Sequence, residues 1–131
     1  MGKPAAKKGD KVVGIDTHIV MLPSPAGPMP SPTPMPFNGI LIGELASTVF
    51  VDGAAVALEG SKAQNVPPHL PTGGPFQKLP KNEATISRAS TTVLVDGKGI
   101  ARAADSARTC NEPADADNGT VVAVSTVFVG D

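Results

Sequence analysis

The sequence contains two histidines and one cysteine, His18, His69 and Cys110, spread over 131 residues. Two imidazoles and a thiolate form a natural ligand set for Zn²⁺. The same residue types could also form a nucleophile and its base, with Cys110 attacking and a histidine accepting the proton. Because the spacing matches no compact zinc-finger pattern, either chemistry requires a fold that brings three distant segments together.

An internal repeat supplies the elements that would position these residues. Residues 47–53 recur as residues 91–97 and again as residues 125–131. Each copy is rich in β-branched residues, and the first two end in Asp-Gly, which favours a tight hairpin turn. Each unit is therefore predicted to hold a turn, a short strand, a tight reversal and a second strand. The upstream short strands are predicted at residues 38–42, 82–86 and 118–122.

One of the three candidate ligands lies in each unit, upstream of its strands. A unit of this size cannot bury its own apolar face, so we expect the three to pack around a common pseudo-threefold axis. Equivalent residues of the three units would then lie close together near that axis. The repeat therefore predicts that His18, His69 and Cys110 meet at one point and bind a structural Zn²⁺.

Loops rich in proline and glycine separate the ligands from the strands. The longest, residues 23–36, contains seven prolines and cannot form a central strand. Because both of its ends are pinned, we expect an ordered surface loop rather than a flexible linker.

The amino-acid composition excludes several fold classes and several kinds of partner. With 14 glycines and 14 prolines the chain does not suit a helical bundle, while 40% hydrophobic residues and a net charge of −1 argue against disorder. Residues 1–8 are predicted to be a flexible basic leader and residues 9–131 a single β domain. Since there is no Trp or Tyr to stack on bases, we expect no nucleic-acid partner. No apolar run predicts stable membrane insertion or a signal peptide, so we expect synthesis in the cytoplasm without general secretory export.

The order of these motifs resembles the PAAR-repeat family, and the likeness covers nearly the whole chain from Gly9. The proline-rich residues 22–28 are similar to the PAAR-like branch, and residues 99–102, Gly-Ile-Ala-Arg, stand where the family has Pro-Ala-Ala-Arg. The resemblance is carried by residues 92–102, Asp105-Ser106, Thr109-Cys110, residues 119–122 and 125–129, and by Gly9-Asp10 with His18.

Members of that family are small β cones that cap the trimeric β-helical spike of contractile injection systems, including type VI secretion systems and phage-tail-like particles. The resemblance implies an all-β cone of three β-hairpin repeats, with Pro/Gly-rich loops that converge on a metal-stabilised tip. The implied role is structural, not enzymatic, at the tip of the particle and with an effector or payload as a further partner. The family site uses three histidines and one cysteine, so His18, His69 and Cys110 leave the fourth position open: a water, a nearby carboxylate, an amide such as Asn111, or no ligand at all.

The repeat also predicts how such a partner would be bound. A chain with three similar edges can match three identical chains, so one copy is expected per trimer, with its strands extending the partner's β-structure. Phe50, Leu94 and Phe128 occupy the same place in each copy, either as a plug on the axis or as contacts at the base. The residues predicted to contact the trimer are Thr48, Val49, Val51, Thr92, Val93, Val95, Thr126, Val127 and Val129.

Two other functions fit the same sequence. One is a β-rich adaptor that binds another protein and needs neither metal nor trimer. The other is a hydrolase that uses Cys110 with a histidine, or a catalytic zinc with three protein ligands and an open fourth position. The absence of an oxyanion-type glycine motif beside Cys110 argues against the cysteine enzyme.

Overall fold

The computed structural model describes residues 2–131. These residues form twelve β-strands and no helix, which confirms the predicted all-β class. In that range the protein therefore has no helix of the length and apolar character needed to cross a membrane. The strands are β1 (Lys3–Pro4), β2 (Lys11–Leu22), β3 (Met29–Gly43), β4 (Phe50–Val51), β5 (Ala54–Ala55), β6 (Lys62–Asn65), β7 (Glu83–Ile86), β8 (Leu94–Val95), β9 (Lys98–Gly99), β10 (Ser106–Thr109), β11 (Ala116–Val122) and β12 (Phe128–Val129).

Six of these strands close into an antiparallel barrel in the order β10–β11–β2–β3–β6–β7. The three upstream strands predicted from the repeat lie in β3, β7 and β11, so their positions are confirmed. The chain has few aromatic residues, and the barrel interior is correspondingly filled mainly by alanine and valine around three larger side chains, Phe37, Leu41 and Ile86. Small interior side chains let the opposite walls of such a barrel lie close together.

The repeated segments each contribute one strand to a two-stranded sheet outside the barrel. β4 and β5 form a hairpin, as do β8 and β9, whereas β12 pairs with the distant strand β1. The predicted second strands are therefore present, although each is only two residues long. In the first two hairpins Asp52 and Asp96 have φ values of 51° and 52°, and the following glycines 81° and 82°. Two consecutive residues with positive φ are the requirement of a type I′ turn, which explains the Asp-Gly sequence.

The predicted flexible leader, residues 1–8, is wrong for its described part. Lys3 and Pro4 pair with Val129 and Phe128, and Ala5 and Ala6 are completely buried. Met1 lies outside the described residues. The lysines suggested a solvated segment, but the two alanines between them fit a crowded interior where a larger side chain would not, and they hold the segment in the fold.

Three alanines from distant parts of the chain meet through a closed ring of backbone hydrogen bonds. The N–H of Ala6 donates to the carbonyl of Ala101 at 2.8 Å, that of Ala101 to Ala57 at 2.9 Å, and that of Ala57 to Ala6 at 2.9 Å. All three residues are fully buried. Each is followed by a turn in which a side-chain oxygen accepts a backbone N–H three residues earlier, at residues 7–10, 58–61 and 102–105. The same local structure therefore occurs three times at one buried point.

Strands β2 and β3 form a long hairpin. On its other side β3 pairs with β6 only from Gly39 onward. Residues 29–36 are thus an edge strand rather than the predicted surface loop, and the loop is confined to residues 23–28. The reason is the register, in which the alternate prolines at 30, 32, 34 and 36 face Met21, Ile19, Thr17 and Ile15.

The backbone of β2 shows why these prolines are tolerated. The N–H of Met21 donates to Pro75, and the carbonyl of Thr17 accepts from Glu112, so both residues direct their backbone groups away from β3. The prolines opposite them occupy non-hydrogen-bonded pairs, and the donor that proline lacks would have faced the free edge. The outer edge of β3 therefore presents no N–H at these positions.

Restoring those donors should make the protein self-associate. We expect the double variant Pro32→Thr/Pro34→Thr to form concentration-dependent oligomers, because an unprotected edge strand templates pairing with another chain. Sedimentation velocity over a range of concentrations measures this. The matched control is Pro23→Thr/Pro25→Thr in the adjoining loop, which should stay monomeric. Two equally monomeric variants would mean that the prolines do not protect this edge.

Candidate metal centre

Two side chains of the centre come from β2 and a third from the loop after β6. Asp16 and His18 are two residues apart on the strand, so their side chains lie on the same face. They are 0% and 1% exposed. His69 reaches them from residues 66–82, where its backbone N–H donates to Asn82 Oδ1 at 2.8 Å and fixes the loop. The side chain of His69 is 4% exposed.

The three side chains are close enough to share one ion. His69 Nε2 lies 3.0 Å from Asp16 Oδ2, and His18 Nε2 lies 3.8 Å from the same oxygen. All three ligand atoms lie within 4.8 Å of one another. Ligand atoms each bound about 2.1 Å from one ion are roughly 3–4 Å apart, so the spacing suits a first-row divalent ion. This group could therefore hold a metal ion.

The hydrogen bonding of the centre is incomplete. Asp16 Oδ1 and both ring nitrogens of His18 are buried with no hydrogen-bond partner. A buried polar atom without a partner costs on the order of 1–3 kcal/mol, and most such atoms in native proteins have one. Burial, and then the neighbouring His69, lower the pKa of His18, which favours the neutral imidazole with its free lone pair. An ion would give these atoms the partners that the protein does not.

The third residue predicted from the sequence, Cys110, follows β10 and is buried with a free thiol. It is not a member of the group of mutually close ligand atoms, which contains Asp16 in addition to the two predicted histidines. The segment after it nevertheless lies against β2 on both sides of His18. Asn111 Oδ1 accepts from the N–H of Thr17 at 2.7 Å, and Glu112 Oε1 accepts from that of Ile19 at 3.2 Å.

Asn111, named from the sequence as a candidate fourth ligand, is occupied in other contacts. Besides the bond from Thr17, its oxygen accepts from the amide of Asn118 at 3.2 Å. Its own amide nitrogen donates to the Thr109 hydroxyl at 2.7 Å. The Asn111 side chain therefore fastens the Cys110 segment to β2.

Sequence reasoning missed Asp16. The signal was present as Asp-x-His in a predicted β segment, because residues two apart share a face of a strand. The sequence left an unspecified carboxylate open as a fourth ligand, but the search for one nitrogen or sulfur ligand in each repeat did not single out the carboxylate next to His18.

Aromatic rings and an open groove surround the cluster. The Phe76 ring lies 5.9 Å from that of His18, and the Phe37 ring 6.4 Å from that of His69. A groove of about 490 Å³ runs between residues 33–36 of β3 and residues 65–72 and reaches His69, but Cys110 does not line it. The cluster is thus mostly shielded from water and borders solvent on its His69 side.

The chain matches no protein-family model and none of the curated proteins at a significant level.

Proposed function

We propose that this protein is a structural tip that caps a trimeric β-helical spike of a contractile injection system, with one copy per trimer. The observation that carries the proposal is the closed ring of hydrogen bonds among Ala6, Ala57 and Ala101. Two hairpins and the similar β1–β12 pair adjoin that ring, which supports a pseudo-threefold cone. A trimer ends in three equal edges, and a single chain can satisfy all of them only if it presents three similar surfaces.

The three two-stranded sheets outside the barrel carry an apolar surface suited to such a partner. Phe50, Leu94 and Phe128 are 61%, 56% and 63% exposed, which supports contacts at the base over a plug on the axis. The next residue in two of the strands, Val51 and Val129, is buried in the core beneath the hairpins. Exposed aromatic and aliphatic side chains in equivalent places are costly in a free protein, and burial against a partner would recover that cost.

This pattern divides the residues predicted to contact the trimer. Val51 and Val129 are buried, and Val49 and Val95 pack against the same core cluster. Their contribution to docking would be backbone pairing and support of the hairpins. The exposed members of the predicted set are Thr48, Thr92, Val93, Thr126 and Val127, and they would contact the partner together with Phe50, Leu94 and Phe128.

The other end of the molecule would be the tip. The β2–β3 hairpin and residues 66–82 meet there around the candidate metal centre, and a bound Zn²⁺ would tie the two together without a large core. His18 and His69 would be two of the ligands. The third would be Cys110, as the sequence predicts, or Asp16, which lies beside the histidines in the structure. The role is structural, without turnover, and the tip would be made in the cytoplasm and leave on the particle with an effector or payload.

Replacing the three exposed apolar residues by glutamate should abolish binding to the trimer. We expect Phe50→Glu/Leu94→Glu/Phe128→Glu to lose affinity for a trimeric β-helical spike protein, since central apolar contacts are each worth on the order of 2 kcal/mol. Native mass spectrometry of the mixed proteins measures affinity and stoichiometry together. The unaltered chain should give one copy per trimer.

Leu70→Glu/Leu79→Glu is the control, because these leucines are even more exposed, at 77% and 81%, but lie in the loop that contacts the far end of β2. It should bind the trimer like the unaltered protein. Three copies per trimer, or no affinity for any trimeric β-helical protein, would instead favour the adaptor.

A further inference from the structure

We propose that Asp16, rather than Cys110, is the third ligand beside His18 and His69, and that Glu112 positions His18 for the ion. This inference deepens the proposed function, because it rests on a metal-stabilised tip, but it does not depend on the spike partner.

Asp16 has the position and the unused atoms that a ligand requires. Its Oδ2 lies 3.0 Å from His69 Nε2 and 3.8 Å from His18 Nε2, so one carboxylate oxygen approaches both histidines. Its Oδ1 is buried with no partner at all. A fully buried carboxylate is costly unless it is paired with a cation. A divalent ion among these atoms would supply that charge and would take the place of the proton between His69 Nε2 and Asp16 Oδ2.

Glu112 faces the other nitrogen of His18. Its Oε1 lies 3.8 Å from His18 Nδ1 and is held in place by the N–H of Ile19. Histidines that bind metals usually direct their second ring nitrogen, as an N–H, toward a carboxylate or carbonyl. A carboxylate on this side favours the proton on Nδ1, which leaves the Nε2 lone pair directed toward Asp16. Glu112 is thus a positioning residue and not a ligand.

Cys110 lies on a segment whose position is set by other bonds. The two residues that follow it are fixed to Thr17 and Ile19 of β2, and its sulfur is outside the group of close ligand atoms. Two imidazoles and a carboxylate form a harder ligand set than two imidazoles and a thiolate. Such a set suits Zn²⁺, Co²⁺ or Fe²⁺ and gives no preference for Cu⁺.

Cobalt substitution tests the third ligand directly. Co²⁺ added to the full-length protein should bind stoichiometrically without the near-ultraviolet charge-transfer band of a cobalt–thiolate bond. Cys110→Ser should retain the ion with unchanged affinity, measured by competition with a chromophoric chelator. Asp16→Asn, which keeps the shape and removes the charge, should weaken binding by at least the roughly 10–100-fold typical of an outer-shell loss.

The role of Glu112 has a separate readout. Glu112→Gln should weaken Co²⁺ binding about 10–100-fold while the stability of the metal-free protein stays the same. Ring ¹⁵N shifts of His18 in the Zn²⁺-bound protein should report a proton on Nδ1. A purely structural Glu112 would instead lower metal-free stability and leave affinity unchanged, which would overturn this assignment.

A thiolate band in the unaltered protein, or loss of the ion in Cys110→Ser, would overturn the Asp16 assignment in favour of Cys110. The unaltered protein gives this answer even if Asp16→Asn does not fold. Failure to bind either Co²⁺ or Zn²⁺ would remove the metal centre, whereas docking to the trimer would be judged separately by mass spectrometry.

Discussion

Zn²⁺ at about a thousand times its dissociation constant should raise the free energy of unfolding by about 4 kcal/mol. An ion that binds only the folded state stabilises it in proportion to the logarithm of its concentration. The effect should be clear here because the buried nitrogens of His18 and one oxygen of Asp16 have no partners without it. For a chain of 131 residues this corresponds to a rise in Tm of roughly 15 °C, measured by calorimetry with and without the ion.

Mg²⁺ is the control for this experiment, because it favours oxygen ligands and should leave Tm unchanged. The variant His18→Ala should lose the response to Zn²⁺, whatever its own stability. A Zn²⁺-induced shift that survives in His18→Ala would place the ion elsewhere, and no shift in the unaltered protein would contradict the metal centre.

Removing the guanidinium of Arg102 should destabilise the protein by about 3–5 kcal/mol, the usual cost of leaving a buried charge without its partner. Arg102 and Asp105 are 3% and 1% exposed. The guanidinium makes two parallel bonds to the Asp105 carboxylate, at 3.0 Å and 2.8 Å, and donates to the carbonyl of Gly130 at 2.9 Å. The bonds to Asp105 also raise the pKa of Arg102, so it stays charged. Urea unfolding of Arg102→Met measures the loss.

The chain provides a matched control in Arg108, which pairs with Asp117 at 3.4 Å on the surface. Arg108→Met should cost less than about 1 kcal/mol, since exposed ion pairs contribute little. Equal effects of the two substitutions would show that burial does not set the value of the Arg102 pair. An unaltered m-value in Arg102→Met is needed for the comparison, because a change would indicate a different unfolded or native state.

The strands were predictable because their signal is local. Alternation of β-branched residues around Asp52 and Asp96, followed by glycine, defines a hairpin without knowledge of the rest of the chain. The approach of His18 to His69 also followed from the sequence, since the repeat placed one candidate ligand in each unit. These expectations depended only on the order and spacing of residues along the chain, which can be read directly from the sequence.

The remaining features depend on contacts between distant segments. Ala6, Ala57 and Ala101 have no pattern that predicts a hydrogen-bonded ring, because alanine fits many environments. The prolines of β3 were assigned to a loop because proline lacks a donor, yet the register places that missing donor where no strand pairs. Asp16 belongs to the centre because the loop that carries His69 packs against β2, and that contact between distant segments has no local sequence signal.

The alanine ring has a consequence for how the chain folds as it is made. Its first member, Ala6, leaves the ribosome early, but two of the three hydrogen bonds involve Ala101. A nascent chain that ends before residue 101 can form only the bond from Ala57 to Ala6. The barrel closes later still, because β2 pairs with β11, and the β1–β12 pair outside the barrel requires residues 128–129. Until β11 is synthesised, β2 lacks its partner on that side, so the barrel closes only when a later segment of the chain joins an earlier one.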